Sequence, residues 1–475
     1  LNSNILYSSI SISSRIFSSY FYNTKSSVDL TQGSIWKQLL LFALPIFVGQ
    51  LFQNLYNSVD SLVVGNFVGK TALAAVSSTN DISHFLVGFF TGLASGGGVF
   101  FAQMFGKKDY QKLSDGIHTT ILFAFLFGFV MAGVGYWLSP QLLQLISCPP
   151  DVYASALEYL RIYLIGILFT AIYNVGAGIL RAVGDSSSPF YYLLISSMTN
   201  IVLDLLFVCG FNMGVAGVGW ATTLAQLVSV ILVLRKMMKT HDVYKLEIRK
   251  LRLNQPILAE VLRLGIPAGI QTSITSISNM FVQRYTNGFG SSAMAGIGVA
   301  KKVEKFAGLS CSSLGVAITT FIGQNYGADK KKRAVEGIRI SVWISVIMVG
   351  LTSLALFILA PGIAVIFNRD AEVVAYASAM IRVIMPFYLF NAMYNIFSGV
   401  VRGFGKSKSV MLCVILGLVG CRQLWLAVSM SIKSDVFNVY FSYPAGWIGA
   451  SILVYLYYYF NIRRTVVAEI QHSDA

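Results

Sequence analysis

Two aspartates occupy stretches that are otherwise apolar: Asp60 in "NLYNSVDSLVVGN" and Asp204 in "TNIVLDLLFV". A carboxylate facing lipid costs at least about 2.5 kcal/mol, so each must face protein or water. Tyr56 lies four residues before Asp60 and Asn200 four before Asp204, which places each pair on one helical face. Thr222 and Thr223 in "WATTLAQ" and Asn174 in "YNVGAG" add hydroxyl and amide oxygens. Such a set suits a proton or Na⁺, because hard cations take oxygen ligands and neighbouring carboxylates raise one another's proton affinity. Paired acids also perform general acid and base chemistry. No HExxH, GxSxG or acidic metal repeat accompanies them, and "SGGG" lacks the lysine and hydroxyl residue of a phosphate-binding loop. An intramembrane enzyme is therefore a distant alternative.

The elements that position these residues are membrane helices. Of 475 residues, 55% are hydrophobic and 12% charged, above the roughly 45 to 50% apolar content of a soluble chain. About twelve apolar segments of roughly 20 residues are each long enough to cross a hydrocarbon layer about 30 Å thick. The net charge of +15 does not point to nucleic acid, because the basic residues lie in short clusters between apolar runs. "GKKDYQK", Arg181, "RKMMKTHDVYKLEIRKLR", "KKKR", "RGFGKSK" and "RR" fall in alternate gaps, so those gaps and both termini are expected in the cytoplasm. The five cysteines show no paired spacing, and neither a disulfide framework nor a zinc site is indicated.

The chain repeats itself. "YLRIYLIGILFTAIYNVGAGILRAVGDSSSP" aligns without gaps on "MIRVIMPFYLFNAMYNIFSGVVRGFGKSKSV", matching Tyr173 to Tyr394, Asn174 to Asn395 and Arg181 to Arg402. The same offset matches Gln103 to Gln324 and Gly106 to Gly327. Two homologous halves of six spans each enter the membrane in the same orientation and are related by a pseudo-twofold axis along its normal. The expected fold is all-α, with twelve transmembrane helices in two pseudo-twofold-related six-helix lobes. The boundaries are a serine-rich segment over 1–29, an N-terminal lobe over 30–236, a cytoplasmic linker over 237–256, a C-terminal lobe over 257–465 and a cytoplasmic tail over 466–475.

Two bundles facing each other leave a cleft with sites near the bilayer midplane. Candidate residues for its wall are Tyr173 and Tyr394, the seventh-span residues Gln271, Thr275 and Asn279, the eighth-span acid Glu304 with Lys301 three residues before it, and Asn391. In "GLASGGGVFF" the glycines are read as allowing close helix packing or bending.

"LPIFVGQLFQNLYNSVDSLVVGNFVG", "GKKDYQK", "GILRAVGDSSSP", "TNIVLDLLFVCGFNMGVAGVGWAT" and "RGFGKSKS", in that order, resemble the multidrug and toxic compound extrusion (MATE) family, nearest its bacterial DinF-like and MepA-like branches. The resemblance covers about residues 30 to 465. It implies a monomeric exporter in a bacterial inner membrane, without a cofactor, that exchanges amphipathic, often cationic, organic compounds for inward H⁺ or Na⁺. It also implies a coupling site in the N-terminal lobe on Asp60, Asn174, Asn200, Asp204 and Thr222, with Tyr56 nearby; H⁺ is the preferred ion because nothing in the sequence demands a full coordination shell. A flippase for a lipid-linked precursor, which would favour an arginine-rich cavity, is the alternative within the wider superfamily.

Overall fold

In a hydrocarbon layer backbone amides must bond within their own segment, so every apolar run long enough to cross folds as a helix. The computed structural model describes residues 29–146 and 148–474, with side chains for all of these but 56–62, 66, 70, 71, 80, 81, 84, 473 and 474. Residues 1–28 of the serine-rich segment thus lie outside the described residues. The first half contains α1 (Ile35–Val63), α2 (Lys70–Lys107), α3 (Tyr110–Leu145), α4 (Pro150–Ala182), α5 (Ser187–Asp204) and α6 (Gly214–Lys239). The second contains α7 (Gln255–Asn287), α8 (Ser291–Gly327), α9 (Lys331–Phe367), α10 (Ala371–Ile384), α11 (Tyr388–Gly403), α12 (Ser407–Val414), α13 (Arg422–Ile432), α14 (Val436–Tyr457) and α15 (Arg464–Asp474).

Three pairs of these later helices each form one span. Pro386 interrupts the ladder between α10 and α11, where Met385–Phe387 form a single 3₁₀ turn. Wider π-helical turns at Ile415–Cys421 and Tyr458–Arg463 join α12 to α13 and α14 to α15. Twelve spans result among the described residues, as the apolar runs predict, and the chain is a multi-pass membrane protein.

The connections after α2, α4, α6, α8 and α11 gather at one end of the bundle, here called the basic end. The longest, between α6 and α7, is fixed to the first lobe: Thr119 Oγ1 donates to the Arg252 carbonyl at 3.1 Å, and Arg252 pairs with Asp115 at 2.8 Å. Its Tyr244 is fully buried in the first-lobe core. On its exposed face, the hydrogen bond from Lys250 holds the Glu247 carboxyl below its usual range.

The repeat seen in the sequence reappears as repeated contacts. Lys112 Nζ lies 5.7 Å from the ring centre of Phe100, and its counterpart Arg333 lies 5.5 Å from that of Phe321. Gly184 and Gly405, just past α4 and α11, have φ of +96° and +82°, a left-handed conformation that glycine adopts without steric cost. Beside Gly184, burial raises the proton affinity of Asp185, opposed by hydrogen bonds from the Ser188 amide and hydroxyl at 2.9 and 2.6 Å.

Each lobe borrows the first turns of the other's leading helix. Leu30, just before α1, and Ile35, Leu39 and Phe42 in its first turns belong to the second-lobe core, while Ile257 and Val261 of α7 belong to the first-lobe core. The α2–α7 seam is made by glycines on both sides. Gly92 and Gly96 abut the carbonyls of Ala268 and Leu264, and Gly265 and Gly269 abut those of Leu93 and Phe89, so a Cβ on any of the four would collide with backbone. Close packing is thus the role of Gly96 in "SGGG", as small residues at membrane helix interfaces allow.

Candidate functional site

The lobes meet in the half nearer the basic end and part above it. Between them lies a cavity of about 1330 Å³, larger than the roughly 300–1,000 Å³ of a drug-sized pocket. Its floor is a clasp built twice. Gln103 Nε2 donates to the Gly403 carbonyl at 3.0 Å, and the repeat-related Gln324 Nε2 donates to the Ala182 carbonyl at 2.8 Å. Gly106 packs against the carbonyl oxygen of Gln324, and Gly327 against that of Gln103, too closely for either position to carry a Cβ. Gln324 Oε1 also accepts from the Leu30 amide at 3.0 Å, tying the approach to α1 into the same knot.

On the first-lobe side, Asn174 and Thr222 line the cavity. Asn174 Nδ2 donates to the Thr170 carbonyl at 2.8 Å, and its Oδ1 accepts from Thr91 Oγ1 at 3.3 Å. Asn200 and Asp204 lie behind this wall, buried to 1% and 0% exposure. The Asn200 amide has no hydrogen-bond partner among the described residues, an uncommon state for a group so deeply buried. Asp204 closes α5 and is followed at once by a π-helical turn, Leu205–Gly210; a second π turn, Val64–Val68, follows α1 and packs against the first. Single π turns inside helices occur often at functional sites. Asp60 lies in the last turn of α1, which packs along α5. The side chains of Asp60 and Tyr56 lie outside the described residues. Thr223 is structural, donating to the Ile162 carbonyl at 3.1 Å.

The expected cavity wall divides. Tyr173, Gln271 and Tyr394 border the cavity. Tyr173 donates to the Pro189 carbonyl at 2.9 Å, and Gln271 Oε1 accepts from Arg402 Nη2 at 3.0 Å. Thr275, Asn279, Glu304 and Asn391 do not border it. Thr275 donates to the Gln271 carbonyl at 2.9 Å, and Asn391 accepts from Asn395 at 3.0 Å. Asn279 and Glu304 are turned into the second lobe. Asn279 Oδ1 accepts from Arg422 Nη1 at 2.9 Å, Ser278 Oγ accepts from Arg422 Nη2, and Tyr388 donates to the Glu304 carbonyl at 3.0 Å. Lys301 donates to Gln283 Oε1 at 2.9 Å.

Two groups of residues escape the sequence reading. Arg422, 3% exposed, organises the second-lobe network. Its signal was a lone arginine inside "CVILGLVGCRQLWLAVSM", since an intramembrane charge marks a site by default. Arg181 and Arg402 read as members of the basic loops, and Lys302 and Lys305 are not singled out, yet all four line the cavity.

A single family model, MatE, matches the chain twice, over residues 45–206 and again over 267–423, once in each lobe. This chain belongs to the MatE family. Among curated MatE-like relatives it is 29% identical to the probable multidrug resistance protein YoeA of Bacillus subtilis (strain 168), covering 90% of this chain and 94% of that one. It is 22% identical to the multidrug export protein MepA of Staphylococcus saprophyticus, over 81% and 85% of the two chains. Among solved structures, an outward-facing multidrug resistance MATE family transporter of the MOP superfamily superposes with a TM-score of 0.86 at 21% identity, over 94% of this chain and 98% of that one, which shows the shared fold. A MatE protein is a transporter, not an enzyme, and needs no cofactor.

Proposed function

We propose that the chain is a secondary active exporter of small amphipathic organic compounds, exchanging them for an inward-moving ion by alternating access in a bacterial inner membrane. It works as a monomer in contact with membrane lipid. The observation that carries this reading is the cavity between repeat-related lobes whose floor is a symmetric clasp of two hydrogen bonds, one from each lobe to the other. Parting the clasp and closing the far side turns the same walls to face the other compartment, and a ligand drives such a change only by its differential affinity for the two states. The relatives named for multidrug resistance and export support the same reading.

We assign the basic end to the cytoplasm, a reading its Lys and Arg content supports, and the described conformation is then outward-facing. In a background with the five native cysteines replaced, a cysteine at Asn212 is expected to react with an impermeant maleimide added outside cells, and cysteines at Lys107, Lys245 and Lys332 only after permeabilisation. The reverse labelling pattern overturns the orientation.

The coupling site is assigned to Asp60, Asn174, Asn200, Asp204 and Thr222, with Tyr56 beside them. A buried carboxyl four residues from an amide that has no partner among the described residues supports it. H⁺ is the preferred ion, because a protonated carboxyl gives Asn200 a donor and leaves an acceptor, whereas Na⁺ needs several oxygens converging at once. The experiment uses proteoliposomes loaded in turn with the amphipathic cation ethidium and the amphipathic anion taurocholate. Uptake or release of either probe driven by an imposed pH gradient in Na⁺-free buffer is the expected result. Strict dependence on Na⁺ with no response to pH moves the same residues into the role of Na⁺ ligands, and no driven movement of any probe overturns export.

A further inference from the structure

Four cations face the cavity: Arg181, Arg402, Lys302 and Lys305. Among the described residues no aspartate or glutamate lines it, and none of the four cations takes part in an ion pair. Two further acids of α1 and α2, Asp60 and Asp81, have side chains outside the described residues. Setting both against the four cations still leaves an excess of positive charge. In a cleft walled by low-dielectric protein such an excess is focused rather than screened, and it raises the local concentration of anions.

The placement of the charges is specific. Arg181 and Arg402 are repeat-related, one from each lobe, and each precedes by one residue the carbonyl that the floor clasp uses, at Ala182 and Gly403. The floor therefore carries two planar guanidinium groups, the geometry that grips phosphate, sulfonate or carboxylate through paired hydrogen bonds. Arg402 spends Nη2 on the neutral Gln271, and its Nε has no partner among the described residues. Higher up, Lys302 and Lys305 stand three residues apart on one face of α8 beside Phe306, and Lys302 Nζ lies 6.0 Å from the ring centre of Phe367. With Phe190 opposite, the walls between the charges are apolar.

We propose that this cavity takes an amphipathic organic anion, its charged group held by Arg181 and Arg402 at the floor and its apolar body along Phe190, Phe306 and Phe367. The inference rests on the export reading and names its substrate class, opposite in sign to the cations that the family resemblance implies. A soluble amphiphile and an anionic phospholipid share this chemistry.

The test is equilibrium binding to the purified full-length protein in phosphatidylcholine nanodiscs, with taurocholate as the anion and tetraphenylphosphonium as the cation. Taurocholate is expected to bind at least about tenfold more tightly, with an affinity that falls as ionic strength rises. Arg181→Gln and Arg402→Gln should each weaken it about tenfold, the usual worth of a charge-assisted hydrogen bond, and should not weaken tetraphenylphosphonium. If either arginine variant unfolds, Lys305→Gln, on the exposed cavity wall, should still weaken taurocholate alone. Adding phosphatidylglycerol separates the two sources: displacement of taurocholate identifies a lipid headgroup site, unchanged binding identifies a soluble amphiphile, and both support the proposal. Tighter binding of tetraphenylphosphonium, or taurocholate binding indifferent to all three substitutions and to salt, overturns it. Neither of those results touches export itself, which the proteoliposome assay decides separately.

Discussion

Asp204→Asn should reduce ion-driven export about 100-fold while leaving the protein folded. The carboxyl is fully buried at the end of α5, one helical turn from the Asn200 amide, which has no partner among the described residues, and at the π turn that follows. Asparagine keeps the shape and the polar character but can neither take up a proton nor carry a charge, so the differential ion affinity that biases the two lobe arrangements disappears. Coupling free energies of about 1–3 kcal/mol correspond to effects of about 5- to 150-fold, which sets the expected size. Asp60→Asn should act alike, and the double variant should be little worse than either single one if both acids serve one ion. The measurement is exchange in proteoliposomes per folded transporter, with a thermal melt as the control. Wild-type export by a well-folded Asp204→Asn protein would remove the acid from the coupling site.

The second large effect is expected at the clasp. Gly106→Ala and Gly327→Ala each place a methyl group on a carbonyl oxygen of the opposite lobe, Gln324 or Gln103. Overpacking of this kind costs roughly 1–3 kcal/mol. The penalty applies only while the floor is closed, so the equilibrium should shift about 10- to 100-fold towards the arrangement in which the basic ends of the lobes separate. Spin labels on cysteines at Lys108 and Asp329, repeat-related positions that both have left-handed backbone, report that separation directly. A longer distance with an unchanged melting temperature is the expected signature. An unchanged distance distribution in both variants would mean that the clasp does not hold the lobes together.

The repeat, the span count and the paired lobes were legible in the sequence because hydropathy and a constant offset both survive without knowledge of tertiary contacts. The offset even singled out Gln103 with Gln324 and Gly106 with Gly327, although it could not say that each glutamine reaches across to the other lobe's backbone. Helical periodicity groups residues on a face without telling which way the face turns. Gln271 and Thr275 share one on α7, yet only Gln271 borders the cavity; Asn279 and Glu304 turn away towards Arg422 and Tyr388. Charge misled for a related reason. Arg181 and Arg402 stand at the ends of apolar spans, where the rule that orients a membrane protein counts them as loop charges, while the helices carry them inward to the floor. The π turns behind Val63 and Asp204 left no trace in composition at all.

The exchanged leading turns of α1 and α7 also constrain how the molecule is made. The Leu30 carbonyl waits for Arg333, 303 residues further along the chain, and the Leu30 amide waits for Gln324. At about 5–20 residues per second, a ribosome takes roughly 15 to 60 s to deliver that arginine. Throughout that interval the first lobe sits in the bilayer with the foot of its opening helix unclaimed and, until Ile257 and Val261 emerge, with a gap in its own core. Biogenesis of this transporter is therefore not the independent maturation of two copies of one ancestral unit. The second half arrives as a folding partner for the first, and the nascent chain needs shelter from lipid, from the insertion machinery or from a chaperone, until it does.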